Sequence, residues 1–269
     1  MARIEDTSVV FIGAGNLAAN LAKALHRRGF RIAQVYSRTN QSAQDLAQAV
    51  GARSTTCLSE VMLDAQLYMV CLKDEAFVRL LPEMVRGREP ALWVHTAGSI
   101  PLNVWQGYAQ RYGVLYPLQT FSKQCEADFS GVPFFIEGRS AEDVRCLKDV
   151  AATLSADVRL ADSRQRKSLH LAAVFACNFT NHMYALGAEL LRKYDLPFDV
   201  LLPLIDETAR KVHRLEPRSA QTGPAVRYDT NVIDEHLRML ADQPDVQTLY
   251  RLLSESIHRQ ASGAEEGMK

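Results

Sequence analysis

Val9-Val10-Phe11-Ile12-Gly13-Ala14-Gly15-Asn16-Leu17-Ala18 is the stretch that decides the fold. Four β-branched or aromatic residues in a row read as a buried strand, and the apolar positions at Leu17, Leu21 and Leu25 follow at helical spacing. Between strand and helix lies GxGxxA. Gly13 permits the tight turn, Gly15 lets the backbone approach a pyrophosphate, and Ala18 stands where a third glycine would allow close helix–strand packing. In that context the amides of the helix's first turn, at the positive end of its dipole, face paired phosphates. The reading is an N-terminal Rossmann dinucleotide-binding domain of the α/β class. Gly13, Ala14, Gly15 and Asn16 hold the pyrophosphate, and Leu17 completes the cofactor-binding turn.

Working outward, Gly29 closes the first helix and Ile32 to Tyr36 forms a second strand, which completes a βαβ unit. An NAD site places an Asp or Glu at the end of that strand to accept from the ribose 2′-hydroxyl. This chain has Tyr36-Ser37-Arg38-Thr39 and no acid. Arg38 can pair a 2′-phosphate, with Ser37 and Thr39 as hydroxyl donors, so the expected cofactor is NADP(H); the other reading of Arg38 is a solvated loop arginine. Helix and strand then alternate. Ser42 to Val50 and Glu75 to Val85 are helical, while Leu67 to Leu72 and Leu92 to His95 are continuous apolar strands, implying a parallel sheet covered on both sides. Strand-like runs continue at 113–116 and 133–136, then a helix from Ala141 to Leu154 and a last strand near Val158.

Ligands of open α/β sheets lie beyond the carboxyl ends of the strands. Leu72 and Lys73 there pass over the cofactor ribose, His95, Thr96 and Gly98 form a small-residue turn suited to the nicotinamide, and Tyr116-Pro117-Leu118-Gln119-Thr120 follows the fifth strand as a further candidate. His95 is equally readable as a hydrogen-bonded histidine at a strand end. From Arg164 onward the pattern is helical: a long segment to about Lys193, one from Phe198 to His213, one capped by Asp229 or Thr230, and one from Val246 to His258. The expected domains are residues 1–161, the Rossmann domain, and 162–269, an all-helical substrate and dimerisation domain, with 261–269 a frayed tail.

Bulk properties exclude several classes. Lys+Arg and Asp+Glu are 31 each, so there is no basic field to hold nucleic acid. The five cysteines are scattered, odd in number and never in a CxxC pair, which suggests neither a disulfide framework nor a zinc site; no metal is expected, and reduced thiols point to the cytoplasm. Residues 1–7 carry Glu5 and Asp6 and lack the basic start of a signal peptide. No segment reaches the roughly eighteen apolar residues of a membrane span, so no membrane partner is expected.

In the long helix His170, Asn178, Asn181 and His182 interrupt an apolar run. His170, Asn178 and Asn181 are spaced to share a face, so they either make interhelical hydrogen bonds or line a substrate cleft between the domains. The chain also resembles a known group over nearly its whole length. GAGNLA, YSRT, HTAGSIPL, YPLQTFS, GVPFFIEG, LHLAAVFACNFTNH and QTGPAVRYD, in that order, are similar to the bacterial Rossmann-like NADP oxidoreductase family with a C-terminal helical domain of unknown function. That group is distantly similar to pyrroline-5-carboxylate reductase and the 6-phosphogluconate dehydrogenase-like superfamily.

The resemblance implies an NADP(H)-dependent oxidoreductase acting on a small C=O or C=N substrate, and a homodimer paired through the helical domain. His170 and Asn178 are the expected catalytic residues. One departure stands out. Hydroxyacid dehydrogenases of the superfamily carry a lysine one helical turn before an asparagine, and here the residue four before Asn178 is Val174. An imine substrate, which arrives already protonated, needs no such lysine, and His170 could take its place. The alternative is a non-catalytic NADP(H)-binding sensor or regulatory protein.

Overall fold

The structure, a computed structural model, describes residues 7–266, with side chains through 263. Contacts divide it into two compact units, meeting between Asn178 and Phe179. The first unit is built on β1 (Ser8–Ile12), β2 (Arg31–Tyr36), β3 (Arg53–Thr55), β4 (Leu67–Val70), β5 (Leu92–His95), β6 (Arg111–Pro117), β7 (Phe134–Gly138) and β8 (Val158–Leu160). They form one sheet in the order β3-β2-β1-β4-β5-β6-β7-β8, so strand order reverses direction between β1 and β4. Its helices are α1 (Asn16–Arg27), α2 (Asn40–Ala49), α3 (Asp74–Val85), α4 (Ala141–Ala152) and α5 (Ser163–Ala173).

The continuous apolar strands are buried on both faces, as their lack of alternation predicts. Along β1, Val9 and Phe11 pack with Leu21 and Leu25 of α1, Leu46 of α2 and Leu147 of α4. Val10 and Ile12 point the other way, toward Phe77 and Leu81 of α3 and toward Trp93 and Trp105. Phe11, Leu21 and Leu25 have no solvent exposure, and burial of each stabilises the unit by roughly 2 kcal/mol.

The parallel sheet expected from the alternating strands is present, and the two strands beyond them run the other way. The strands from β3 through β6 are parallel, but β7 runs antiparallel to β6, and β8 follows β7. No helix intervenes between β6 and β7; the chain loops through 118–133 and closes with Leu118 N–H donating to Pro133 O at 2.9 Å. Without a crossover to carry it back along the sheet, the next strand must return in the opposite sense.

The expected boundary at 161/162 lies earlier than the division the contacts give, because α5 belongs to the sheet-bearing unit. Asp162 and Gln165 form a capping box at its start, with Gln165 N–H donating to Asp162 Oδ1 at 2.7 Å and Asp162 N–H to Gln165 Oε1 at 2.9 Å. One turn on, Arg166 has no exposure. Its guanidinium meets Glu137 of β7 at 2.5 Å and donates to Ile100 O at 2.6 Å and Ala97 O at 3.3 Å. Ser163 Oγ donates to Glu137 at 2.8 Å and accepts from Leu102 N–H at 2.8 Å.

The second unit holds α6 (Thr180–Arg192), α7 (Leu202–Lys211), the short α8 (Pro217–Ala220) and α9 (Pro224–Arg227), α10 (Thr230–Met239) and α11 (Pro244–Glu266). Asp229 caps α10, as one of the two expected caps. The long helix expected to about Lys193 is broken by a π-helical segment, Val174–Phe179, between α5 and α6. The expected frayed tail at 261–269 is also corrected: α11 continues through Glu266, while 267–269, like the leader reading of residues 1–6, lie outside the described residues.

Of the two readings of His95, the hydrogen-bonded histidine at a strand end is the one that matches its surroundings: it is a core residue with 1% exposure. Its ring centroid lies 5.5 Å from that of Phe77 and 6.1 Å from that of Trp105, and Nδ1 accepts from Ala97 N–H at 3.2 Å. Burial, reinforced by the charge of Arg166, pushes its pKa down to about 3. Position 95 shares the face of Trp93, and that face is closed.

Two expectations follow. Glu137→Ala leaves the Arg166 charge buried without its carboxylate, and should lower unfolding free energy by about 3 kcal/mol in urea titration; Arg166→Met with Glu137→Leu should recover most of it, and an undiminished midpoint for Glu137→Ala would refute the role of the pair. The unfolded chain binds a proton at His95 near pH 6.5 while the folded chain resists it to about 3. Stability from this group is therefore complete above pH 6.5 and falls as pH drops, by about 2 kcal/mol between pH 7 and 5. His95→Phe should flatten that segment of the stability–pH curve.

Candidate functional site at the carboxyl edge of the sheet

Beyond the carboxyl ends of the central strands the backbone is drawn tightly together. Gly13 N–H donates to Tyr36 O at 2.8 Å, Cys71 N–H to Ile12 O at 2.9 Å, and Ser37 N–H to Thr55 O at 3.1 Å. Gly13 has φ +115°, and a Cβ there would sit 2.4 Å from Cys71 O. Only glycine meets both demands. Gly15 follows as the N-cap of α1, and a Cβ on it would meet nothing within 4 Å, so its backbone faces open space.

The helix ends along this edge differ in charge. The first turn of α1 holds no acidic residue and receives no side-chain cap, and the same is true of α2, whose N-cap is Thr39. The first turn of α3 already carries Asp74 and Glu75, which answer its dipole. The unanswered positive ends are therefore those of α1 and α2, next to Gly15-Asn16 and Arg38-Thr39. Gly15, Asn16, Arg38 and Thr39 are exposed, whereas Ala14 and Ser37 are buried beneath them and Leu17 is half-buried.

Tyr36 lies under this corner. Burial raises its hydroxyl pKa, with Glu83 and Cys57 adding to the rise, while Arg38 of the loop and Arg79 of α3 act against it. Arg79 therefore bears, with Arg38, on the Tyr36 hydroxyl. Nothing in a helical stretch such as 74–85 marks Arg79 for that position.

Leu72 is half-buried and Lys73 exposed where the chain leaves β4 for α3. Thr96 braces β4 from behind, its N–H donating to Val70 O at 3.3 Å. Burial pushes the Cys71 thiol up to about 12, so it stays protonated and is no nucleophile at this edge.

His170 and Gly98 do come together. A Cβ on Gly98 would lie 2.9 Å from Cβ, Cγ and Nδ1 of His170, so the imidazole rests on bare backbone. His170 Nδ1 is 3.1 Å from the hydroxyl of Tyr116, which β6 supplies. Tyr116 is only 9% exposed, and burial raises its pKa.

Asn178 is not gathered with His170 by helical spacing. It sits exposed in the π-helical segment, where wider turns break the phase that an eight-residue separation assumes. Asn181 and His182 belong to the other compact unit.

Sequence reasoning did not single out Arg166 or Glu137 for a role, and it placed Tyr116 among the strand-end candidates without a partner. Arg166 looks like one of several solvated charges in SRQRKSLH. Among the described residues no group of three His, Cys, Asp or Glu is placed to hold a metal, and no helix is long and apolar enough to cross a membrane.

Residues 8–97 match the family described as NADP oxidoreductase coenzyme F420-dependent, and residues 132–257 match Domain of unknown function (DUF2520). No curated protein matches the chain. Among solved structures, the "putative NADP oxidoreductase" of Bacteroides fragilis is 69% identical, with TM-score 0.93 over 96% of this chain and 100% of that one.

Two more distant structures share the fold. The reductive aminase of Aspergillus terreus, in complex with NADPH and ethyl-5-oxohexanoate, is 16% identical with TM-score 0.65 over 97% of this chain and 94% of its own. The pyrroline carboxylate reductase of Plasmodium falciparum with NADP bound is 10% identical with TM-score 0.60, over 96% of this chain and 100% of its own. With 69% identity across the whole of the Bacteroides protein, the chain belongs to the same family, the Rossmann-fold NADP oxidoreductases that carry a C-terminal domain of unknown function.

Proposed function

We propose that this protein uses NADPH to reduce a small C=O or C=N substrate. The observation that carries the reading is the pair of uncapped, acid-free helix N-termini at the carboxyl edge of a Rossmann sheet, with Arg38 exposed beside the second. The turn from Gly13 through Leu17 receives the pyrophosphate, Ser37, Arg38 and Thr39 the 2′-phosphate, and Leu72 and Lys73 the ribose. Thr96 and Gly98 border the nicotinamide, while the buried His95 shapes that turn from beneath. His170 and Asn178 meet the substrate. When bound, the dinucleotide supplies the hydride; the protein supplies position and a hydrogen-bond donor. The fold is shared with a pyrroline carboxylate reductase that has NADP bound and with a reductive aminase in complex with NADPH and ethyl-5-oxohexanoate, which keeps both C=N and C=O substrates in the reading. All five cysteines are free, which fits a cytoplasmic setting.

A non-catalytic NADP(H) sensor is the second reading, favoured by Val174 at the place where superfamily dehydrogenases carry a lysine. Calorimetric titration with NADPH and NADH, followed by NADPH oxidation over keto acids and cyclic imines with His170→Ala as control, separates the two. NADPH should bind the more tightly, and Arg38→Ala should weaken it roughly thirtyfold, the equivalent of about 2 kcal/mol of charge-assisted hydrogen bonding, while leaving NADH unchanged. Equal loss for both dinucleotides would remove Arg38 from the 2′-phosphate; tight binding without turnover of any compound would favour the sensor.

The helical unit is proposed to pair with a second copy. Among its described residues only Ala225, Ile233 and Leu240 are buried apolar side chains, and neither α6 nor α7 buries any residue. Leu196, Val200, Leu202 and Leu204 are about half or more exposed, an apolar surface that a second copy would remove from water. Light scattering should give twice the 30.0 kDa of one chain, and Leu204→Glu should shift the protein toward the single-chain mass; a monomeric wild type at micromolar concentration would end this assignment.

A further inference from the structure

We infer that Tyr116 is a positioning residue for His170: its hydroxyl donates to Nδ1, so that Nε2–H is the ring donor left for substrate. The inference rests on the proposed reductase reading for its use, but on separate geometry for its existence. Tyr116 and His170 are 54 residues apart in sequence and 3.1 Å apart in space, on β6 and α5. The phenol is 9% exposed and remains protonated, since burial resists the phenolate. The bond is part-buried, with His170 itself exposed; the hydroxyl of a buried phenol calls for an acceptor, and the Nδ1 lone pair is the one found for it among the described residues. An imidazole nitrogen that accepts cannot carry the proton, so in the neutral ring the proton is on Nε2.

Two further contacts hold the ring in place. Gly98 lies against it so closely that a methyl group there would sit 2.9 Å from three of its atoms. Arg166, one turn earlier on α5, pins the helix to Ala97 O and Ile100 O on either side of Gly98. The imidazole is thus confined by its helix, by a bare glycine and by the phenol, and Tyr116 decides which nitrogen is protonated. A neutral Nε2–H suits an acceptor atom on the substrate, such as a carbonyl or carboxylate oxygen. It orients that atom without adding net charge.

Long-range ¹H–¹⁵N spectra of the full chain at a pH where the ring is neutral test this directly, with His170 identified by its loss in His170→Gln. The wild type should show Nε2 protonated, and Tyr116→Phe should move the Nδ1 resonance downfield as its accepted bond disappears, with the His95 signals unchanged. A proton on Nδ1, or an Nδ1 signal unmoved in Tyr116→Phe, would overturn the assignment. NADPH oxidation with 1-pyrroline-2-carboxylate and with pyruvate supplies the second readout. Tyr116→Phe should lower kcat roughly ten- to a hundredfold at unchanged KM for NADPH, and His170→Gln, whose amide reaches the Nε2 position, should retain more activity than His170→Asn. Correct spectra with neither probe turned over by the wild type would count against the reductase reading and leave Tyr116 in its role. Turnover with a protonated Nδ1 would do the reverse.

Discussion

The buried guanidinium of Arg166 is the constraint on which the arrangement of the sheet-bearing unit turns. A charge taken out of water is tolerated only where its donors are matched, and a pair that loses one partner leaves several kcal/mol uncompensated. Arg166 is matched by Glu137 of β7, by Ser163 of its own helix, and by the carbonyls of Ala97 and Ile100 in the turn after β5. The same four groups lock three pieces of chain at once: the strand that reverses the sheet, the turn that carries Gly98, and the helix that carries His170. Loosening any of them strands the charge. That is why α5, helical like everything after it, belongs with the sheet rather than with the helices it precedes.

The carboxyl edge follows a different economy, of shape and dipole. Gly13 allows Cys71 O within a distance no side chain could share, and Gly15 leaves the first turn of α1 open. Helices whose first turns carry their own carboxylates have spent their positive ends. Those of α1 and α2 have not, and they lie where a doubly wound sheet splays apart at its switch in strand order. The half-buried Cys71 and the buried His95 of this edge are held in their neutral forms. Neither offers competing chemistry, and both present uncharged backing to the turns above them.

Much of this edge was legible in the residues alone, and the misreadings are instructive. GAGNLA between an apolar run and an amphipathic helix, and Ser-Arg-Thr without an acid after the second strand, are the basis of the proposed cofactor site, and they are readable because strand, turn and helix here are set by neighbours within a few residues. His95 was legible both as a neighbour of the nicotinamide and as a histidine at a strand end; which side of a strand is closed depends on what packs over it, and Phe77 and Trp105 come from elsewhere in the chain. The spacing of Asn178 is a different case. Its pairing with His170 assumed unbroken α-helical phase, and a π-helical segment carries no composition signal in VFACNF.

By itself the sequence determined the alternation of strands and helices, the glycine turn, the choice of a phosphorylated dinucleotide and the point near which sheet gives way to helix. Each of these rests on periodicity or on backbone freedom over short spans. Tertiary structure alone decided that β7 runs backward, that α5 joins the sheet, that His95 is sealed in and that Tyr116 reaches His170. These depend on which distant side chains share a desolvated space, and burying a charge or a hydroxyl forces a pairing that spacing along the chain does not encode.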